Sequence, residues 1–156
     1  VSRRLRFPKE REIIITDTVG FIRNLPKELM DAFKTTFEEI EPARLLLHVL
    51  DASSSEIDEQ YKVVRSILAD LEYDGKTSLT ILNKADLCDA ETLERLVAQY
   101  GGIAISALDR ASFGSLMERI EYELWQESSV AMEAYSSGGE KDYELPVDDD
   151  AGQDAV

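Results

Sequence analysis

The run Leu45-Leu46-Leu47-His48-Val49-Leu50-Asp51 is apolar at nearly every position, as a strand covered on both faces must be. A strand with one wet face would alternate instead, so this run commits the chain to layers packed on both sides of a sheet. The pattern then repeats. Ile57, Tyr61, Val64, Ile67, Leu68 and Leu71 keep a helical period, and strand patterns at 78–82 and 103–105 alternate with helical ones at 90–100 and 113–125. Such alternation implies parallel pairing through right-handed crossovers and an α/β class. Residues 53–55, all serine, are placed to cap the first of these helices, and Ser112 the last.

Upstream, residues 3–7 and 12–17 read as an antiparallel hairpin turned by Pro8-Lys9-Glu10. Pro26 opens a helix with Leu29, Phe33, Phe37 and Ile40 on one face, and Pro42 stops it. At 156 residues the chain suits one domain, expected at 1–127, followed by an acidic tail at 128–156. That tail cannot bury enough apolar surface to offset chain entropy, so disorder is expected there. The net charge of −15 argues against autonomous binding to nucleic acid. The basic cluster Arg3, Arg4, Arg6, Lys9 and Arg11 is the local exception, read as the solvated side of the hairpin in preference to an RNA patch. One cysteine, Cys88, excludes an internal disulfide and suits a reducing compartment. No apolar stretch approaches the ~20 residues of a membrane span, and a cytoplasmic location is the expectation.

Three strand ends carry residues with chemistry. Asn83-Lys84-Ala85-Asp86 follows the strand at 78–82, and the Asp86 carboxylate can accept from both the ring N–H and the exocyclic amine of guanine, adjacent donors that adenine lacks. Asp17 and Gly20 follow the apolar run at 13–15; Asp17 suits Mg²⁺ held through water, and the Gly20 N–H can approach a terminal phosphate because no side chain intervenes. Ser106-Ala107 follow the strand at 103–105, with backbone N–H groups expected to reach the guanine carbonyl. Open α/β sheets bind ligands at such carboxyl ends.

The order and spacing of these segments resemble the DxxG, NKxD and SA elements of translation-type GTPases. Asp17-Thr18-Val19-Gly20-Phe21-Ile22, followed by Leu25-Pro26 and Ala32-Phe33-Lys34-Thr35-Thr36, resembles the HflX-type ribosome-associated GTPases, over residues 3 to about 127. The resemblance implies a P-loop NTPase-type three-layer sandwich, mostly parallel, with an N-terminal antiparallel hairpin. It further implies GTP or GDP with Mg²⁺ as ligands and the large ribosomal subunit as partner. Asn83, Lys84, Asp86, Ser106 and Ala107 would bind guanine, the Lys84 stem stacking over the ring; Thr18 and Gly20 would sense phosphate, and Asp17 would serve the metal.

The sequence contains no G-x-x-x-x-G-K-[ST] phosphate loop. Gly75-Lys76-Thr77 imitates one, but it has Asp70 in place of the first glycine and leads into a strand, so it reads as a turn. By the resemblance, the first strand, the phosphate loop, the first helix and the switch I threonine would precede Val1. Residues 13–17 and 45–51 would then lack their shared neighbour and expose apolar side chains. Phe21 stands where many GTPases carry a water-orienting glutamine, so catalysis would depend on metal charge and outside help. The expectation is a GTPase in the intact protein, with residues 1–156 unable to hydrolyse GTP alone. Two alternatives stay open: a non-catalytic interaction module, and a receiver-like domain built on acids at strand ends with Lys84, Asp17 and Asp51. His48 is expected in the core or on a sheet face, Cys88 in packing, and Asp51 as a helix cap.

Overall fold

Parallel pairing fixes where the strands' carboxyl ends lie. In the computed structural model, which describes residues 2–7, 10–18 and 40–125, strands β3 (Leu46–Asp51), β4 (Ser78–Asn83) and β5 (Ile103–Ala104) form one sheet in the order β3-β4-β5. The register runs from Leu46 opposite Ser78 to Asp51 opposite Asn83, and Leu82 stands opposite Ala104. All three carboxyl ends therefore emerge side by side.

Helices α1 (Ile57–Asp70) and α2 (Ala90–Tyr100) cover one face of this sheet. Leu50 and Leu82 share that face and pack with Ile57 and Leu96 in a cluster from which water is excluded, Leu82 being 0% exposed. Burying each such side chain stabilises the fold by about 1.5–3 kcal/mol. Leu79 and Ile81, on the alternate face of β4, are buried as well, so β4 is covered on both sides. β3 differs. Among the described residues it pairs with β4 alone, and Val49, opposite Ile81, is 56% exposed. The expected exposure of apolar surface on this strand is therefore present.

Local chemistry sets the element ends. Asp89 caps α2, its carboxylate accepting the Thr92 N–H at 2.7 Å, and Gly101 ends the helix at φ +61° with its N–H on the Val97 carbonyl. Gly102 is buried against β4, where a Cβ would stand 3.1 Å from the Thr80 carbonyl oxygen and 3.3 Å from Leu82 Cγ. Helix α3 (Gly114–Trp125) buries Leu116, Met117 and Ile120 after a short 3-10 turn over Arg110–Phe113. Gly75-Lys76-Thr77 is indeed a turn, with the Lys76 N–H on the Tyr73 carbonyl and its ammonium on the carbonyls of Glu41 and Ala43.

The serine caps read from the sequence are placed differently. Helix α1 starts after Glu56, which makes no side-chain cap; Ser54 Oγ, two residues earlier, accepts the Glu56 N–H at 3.2 Å and a Gln60 amide hydrogen. Ser112 lies inside the 3-10 turn, which is capped by Asp109 through the Ala111 N–H. A 3-10 turn before α3 moves the helix start beyond the reach of Ser112.

The hairpin is a unit of its own. β1 (Ser2–Phe7) pairs antiparallel with β2 (Arg11–Thr16), Arg4 opposite Ile14, and Glu10 takes a positive φ at the turn. Glu12 holds both Arg4 and Arg6, at 3.4 and 2.9 Å, which partly neutralises the basic side of the hairpin. The helix expected after Pro26 and the acidic tail lie outside the described residues. No helix among the described residues is long and apolar enough to cross a membrane.

His48 on β3 stacks flat on Tyr61 of α1, ring centroids 5.4 Å apart, and its buried Nε2 has no hydrogen-bond partner among the described residues. Burial, with the nearby Arg65 charge second, lowers its pKa from 6.5 to about 4. Above pH 6.5 the ring is neutral whether the chain is folded or not; between 6.5 and about 4 only the unfolded chain takes the proton. Stability is therefore expected to fall as pH drops through that window. Denaturant melts of wild type and His48→Phe between about pH 7 and about pH 5 check this. The variant, which keeps the stack but cannot titrate, should show a shallower loss; parallel curves would refute the assignment.

Candidate functional site

The side chain of Asn83, last residue of β4, joins two loops. Its Oδ1 accepts the Lys84 N–H at 2.8 Å and the Ala107 N–H at 3.0 Å, binding the loop after β4 to the loop after β5. Backbone bonds run alongside: the Asn83 carbonyl accepts from Ala52, the Leu82 carbonyl from Ile105, and the Ile105 carbonyl from Ala85. The ends of β3, β4 and β5 are thus one hydrogen-bonded edge. Lys84 adopts a left-handed backbone, φ 64° and ψ 35°, which reverses the chain into the 3-10 turn Ala85–Leu87. A non-glycine residue held there carries backbone strain, which the surrounding bonds must offset.

Asp86 lies in that turn, exposed, and its carboxylate has no hydrogen bond or ion pair among the described residues. A helix cap is the ordinary use of an aspartate at such a place, but Asp89 caps α2 instead. Asp86 is left with both oxygens open to an outside donor.

Lys84 reaches the other way. Its ammonium meets Asp51 Oδ2 at 2.7 Å, while Asp51 Oδ1 accepts the N–H and hydroxyl of Ser53 at 3.0 and 2.6 Å. The Lys84 bond, then those from Ser53, hold the Asp51 carboxyl below the usual carboxylate range, and Asp51 in turn raises the Lys84 ammonium. Asp51 was expected to cap a helix; its Ser53 bonds turn the loop before α1, and its second oxygen holds Lys84. Among the described residues no group of three or more His, Cys, Asp or Glu side chains is placed to hold a metal ion.

The loop after β5 is braced from within. Ser106 is buried, and its N–H donates to Ser112 Oγ at 3.0 Å; the Leu108 N–H donates to Ser106 Oγ at 3.2 Å. Sequence reasoning assigned Ser112 to a helix cap and missed this brace. The N–H groups of Ser106 and Ala107, expected to await a carbonyl, are both engaged. A guanine carbonyl at Ala107 would share that N–H with Asn83 Oδ1 or displace it, and Ser106 serves the loop's shape. Cys88 packs on the Leu82 and Leu96 cluster, and burial followed by the charges of Asp89, Asp51 and Asp86 pushes its thiol up, away from reactivity.

In the hairpin unit, Asp17 and Thr18 follow β2 directly and are exposed. Gly20 lies outside the described residues, as does Phe21. Asp17 is a single accessible carboxylate, a donor set that fits Mg²⁺, which keeps most of its waters and takes other ligands from phosphate.

Residues 1–84 match the 50S ribosome-binding GTPase family. The chain is 42% identical over 132 residues to GTPase HflX of Caldanaerobacter subterraneus subsp. tengcongensis, covering 83% of this chain and 29% of that protein. It is 36% identical to GTPase HflX of Lacrimispora saccharolytica, covering 86% of this chain and 32% of that protein. The chain thus spans about a third or less of the length of these relatives. Among solved structures, a glycine-to-proline variant of SsGBP matches with a TM-score of 0.65 and 30% identity, over 80% of this chain and 48% of the other. A complex of SsGBP with GDP matches with a TM-score of 0.58 and 28% identity, over 84% of this chain and 42% of the other.

Asn83→Ala removes the acceptor common to both loops and is expected to destabilise the fold by about 1–2 kcal/mol. Hydrogen exchange should quicken most at Ala107 and Lys84, with α1 unaffected. Uniform quickening across the sheet would show that Asn83 supports the fold generally and does not tie these loops.

Proposed function

Since this chain belongs to the 50S ribosome-binding GTPases, and among them to the HflX type, we propose that the edge formed by Asn83, Lys84, Asp86 and Ala107 binds the base of GTP or GDP. The observation that carries this reading is the carboxylate of Asp86: exposed, unpartnered among the described residues, and on a loop held rigid by Asn83. Its oxygens accept from the guanine ring N–H and exocyclic amine. The Lys84 stem supplies an apolar surface for the ring, and the Ala107 N–H meets the guanine carbonyl by sharing with Asn83. Ser106 shapes the loop through the Leu108 N–H.

In this reading Asp17 holds Mg²⁺ through water, and Thr18 and Gly20 respond to the terminal phosphate. The metal, when bound, offsets charge on the phosphates. Phe21 has no group with which to orient a water, so hydrolysis in the intact protein depends on an outside contribution, and the large ribosomal subunit is the proposed source. Residues 1–156 alone have a competing reading as a non-catalytic module, favoured by the lack of any G-x-x-x-x-G-K-[ST] segment in this sequence. Turnover of GTP with Mg²⁺ by purified residues 1–156 would eliminate it.

Base selection tests the pocket directly. The protein expressed from its complete reading frame should bind a fluorescent GDP in strong preference to the matching ADP. Asp86→Asn presents a donor where guanine's amine needs an acceptor, so GDP affinity should drop by roughly 10²- to 10⁴-fold. Xanthosine diphosphate, with a carbonyl in place of that amine, should recover much of the loss. Equal binding of GDP and ADP by the wild type, or an unchanged GDP affinity in the variant, would defeat the proposal.

A further inference from the structure

Lys84 lies two residues from Asp86, and the two have opposite charge, yet the Lys84 ammonium sits on Asp51. Asp51 stands level with Asn83 at the end of the neighbouring strand, so the Lys84 stem must run from the end of β4 across to the end of β3. The Asp51 carboxylate is itself fixed, one oxygen held by the N–H and hydroxyl of Ser53 and the other free to face Lys84. This has two effects on the neighbouring loop. The stem spans the ends of the two strands, and the ammonium sits on Asp51 and not on Asp86.

We propose that Asp51 is a positioning residue for the base pocket: by holding the Lys84 ammonium on β3, it lays the lysine stem out as a stacking surface and leaves the Asp86 carboxylate free for the base. The inference rests on the guanine reading above. Besides Asp51, the charge that acts on the Lys84 ammonium is Asp86, and without Asp51 a lysine folded back onto it competes with the two base donors and withdraws the stacking surface. Asp51 touches neither base nor phosphate in this arrangement. It acts through Lys84.

The test is a double-mutant cycle on the protein from its complete reading frame, with fluorescent GDP as probe. Asp51→Asn keeps an acceptor for Ser53 and loses the charge. It should weaken GDP binding by about three- to five-fold at low salt, the scale of an exposed ion pair, with the gap narrowing at high salt. Lys84→Met keeps an apolar stem without the ammonium. In that background Asp51→Asn should change GDP affinity no further, since the lysine it restrains is gone. A merely structural Asp51 would lower the melting temperature and weaken binding equally in both backgrounds, which would overturn the proposal. So would tighter binding in Asp51→Asn, which would make the ion pair a competitor of the nucleotide. If Asp51→Asn fails to fold, Asp51→Ser, whose hydroxyl still accepts from Ser53 but is too short to hold the ammonium, takes its place in the cycle. A wild type with no preference for GDP over ADP would sink the guanine reading itself; a preference that survives with an unaltered Asp51→Asn affinity would sink only this inference.

Discussion

One side-chain oxygen, alongside backbone bonds, ties the loop after β4 to the loop after β5. Strand β5 is two residues long, too short for its own ladder to fix the loop after it, and the loop after β4 passes through a strained left-handed residue. Asn83 Oδ1 meets both demands, since an amide oxygen has two lone pairs and each finds an N–H. A net ~1 kcal/mol per bond is modest. The geometric effect is larger, because the bonds tie the loop that carries Asp86 to Ala107 of the neighbouring loop.

Around that tie, polar groups have distinct jobs. Asp89 closes the start of α2, Ser112 braces Ser106, Asp109 starts the turn before α3, and Asp51 is shared between Ser53 and Lys84. Every one of these satisfies a backbone group or a charge. Asp86 is the carboxylate on this edge with nothing of that kind to do among the described residues, and an acceptor kept idle on a rigid loop is what recognition of an external donor requires.

The sequence made the sheet and its helices readable because periodicity is a local property: α2 spans the residues its pattern marks, and a continuous apolar run became β3. The turn that carries Asn83, Lys84 and Asp86 at the end of β4 follows directly from the strand pattern at 78–82. Relations between distant residues escaped. Asp51 and Lys84 are 33 positions apart, and only the parallel register of β3 and β4 brings them level. Ser112 carried a cap-like signature, yet the fold uses it six residues back, on Ser106. The amides of Ser106 and Ala107 looked available because their partners, Ser112 Oγ and Asn83 Oδ1, come from other turns of the chain.

Gly102 sets the tolerance of the whole arrangement. A β-carbon at Gly102 would stand 3.1 Å from the Thr80 carbonyl oxygen, so any other residue would push the last strand and its neighbour apart by a few tenths of an ångström. Five residues later the same segment delivers Ala107 to Asn83. A few tenths of an ångström added at 102 would be inherited along that short lever, stretching a 3.0 Å bond toward breaking. The smallest residue in the chain thereby acts as a spacer gauge for a contact it never makes.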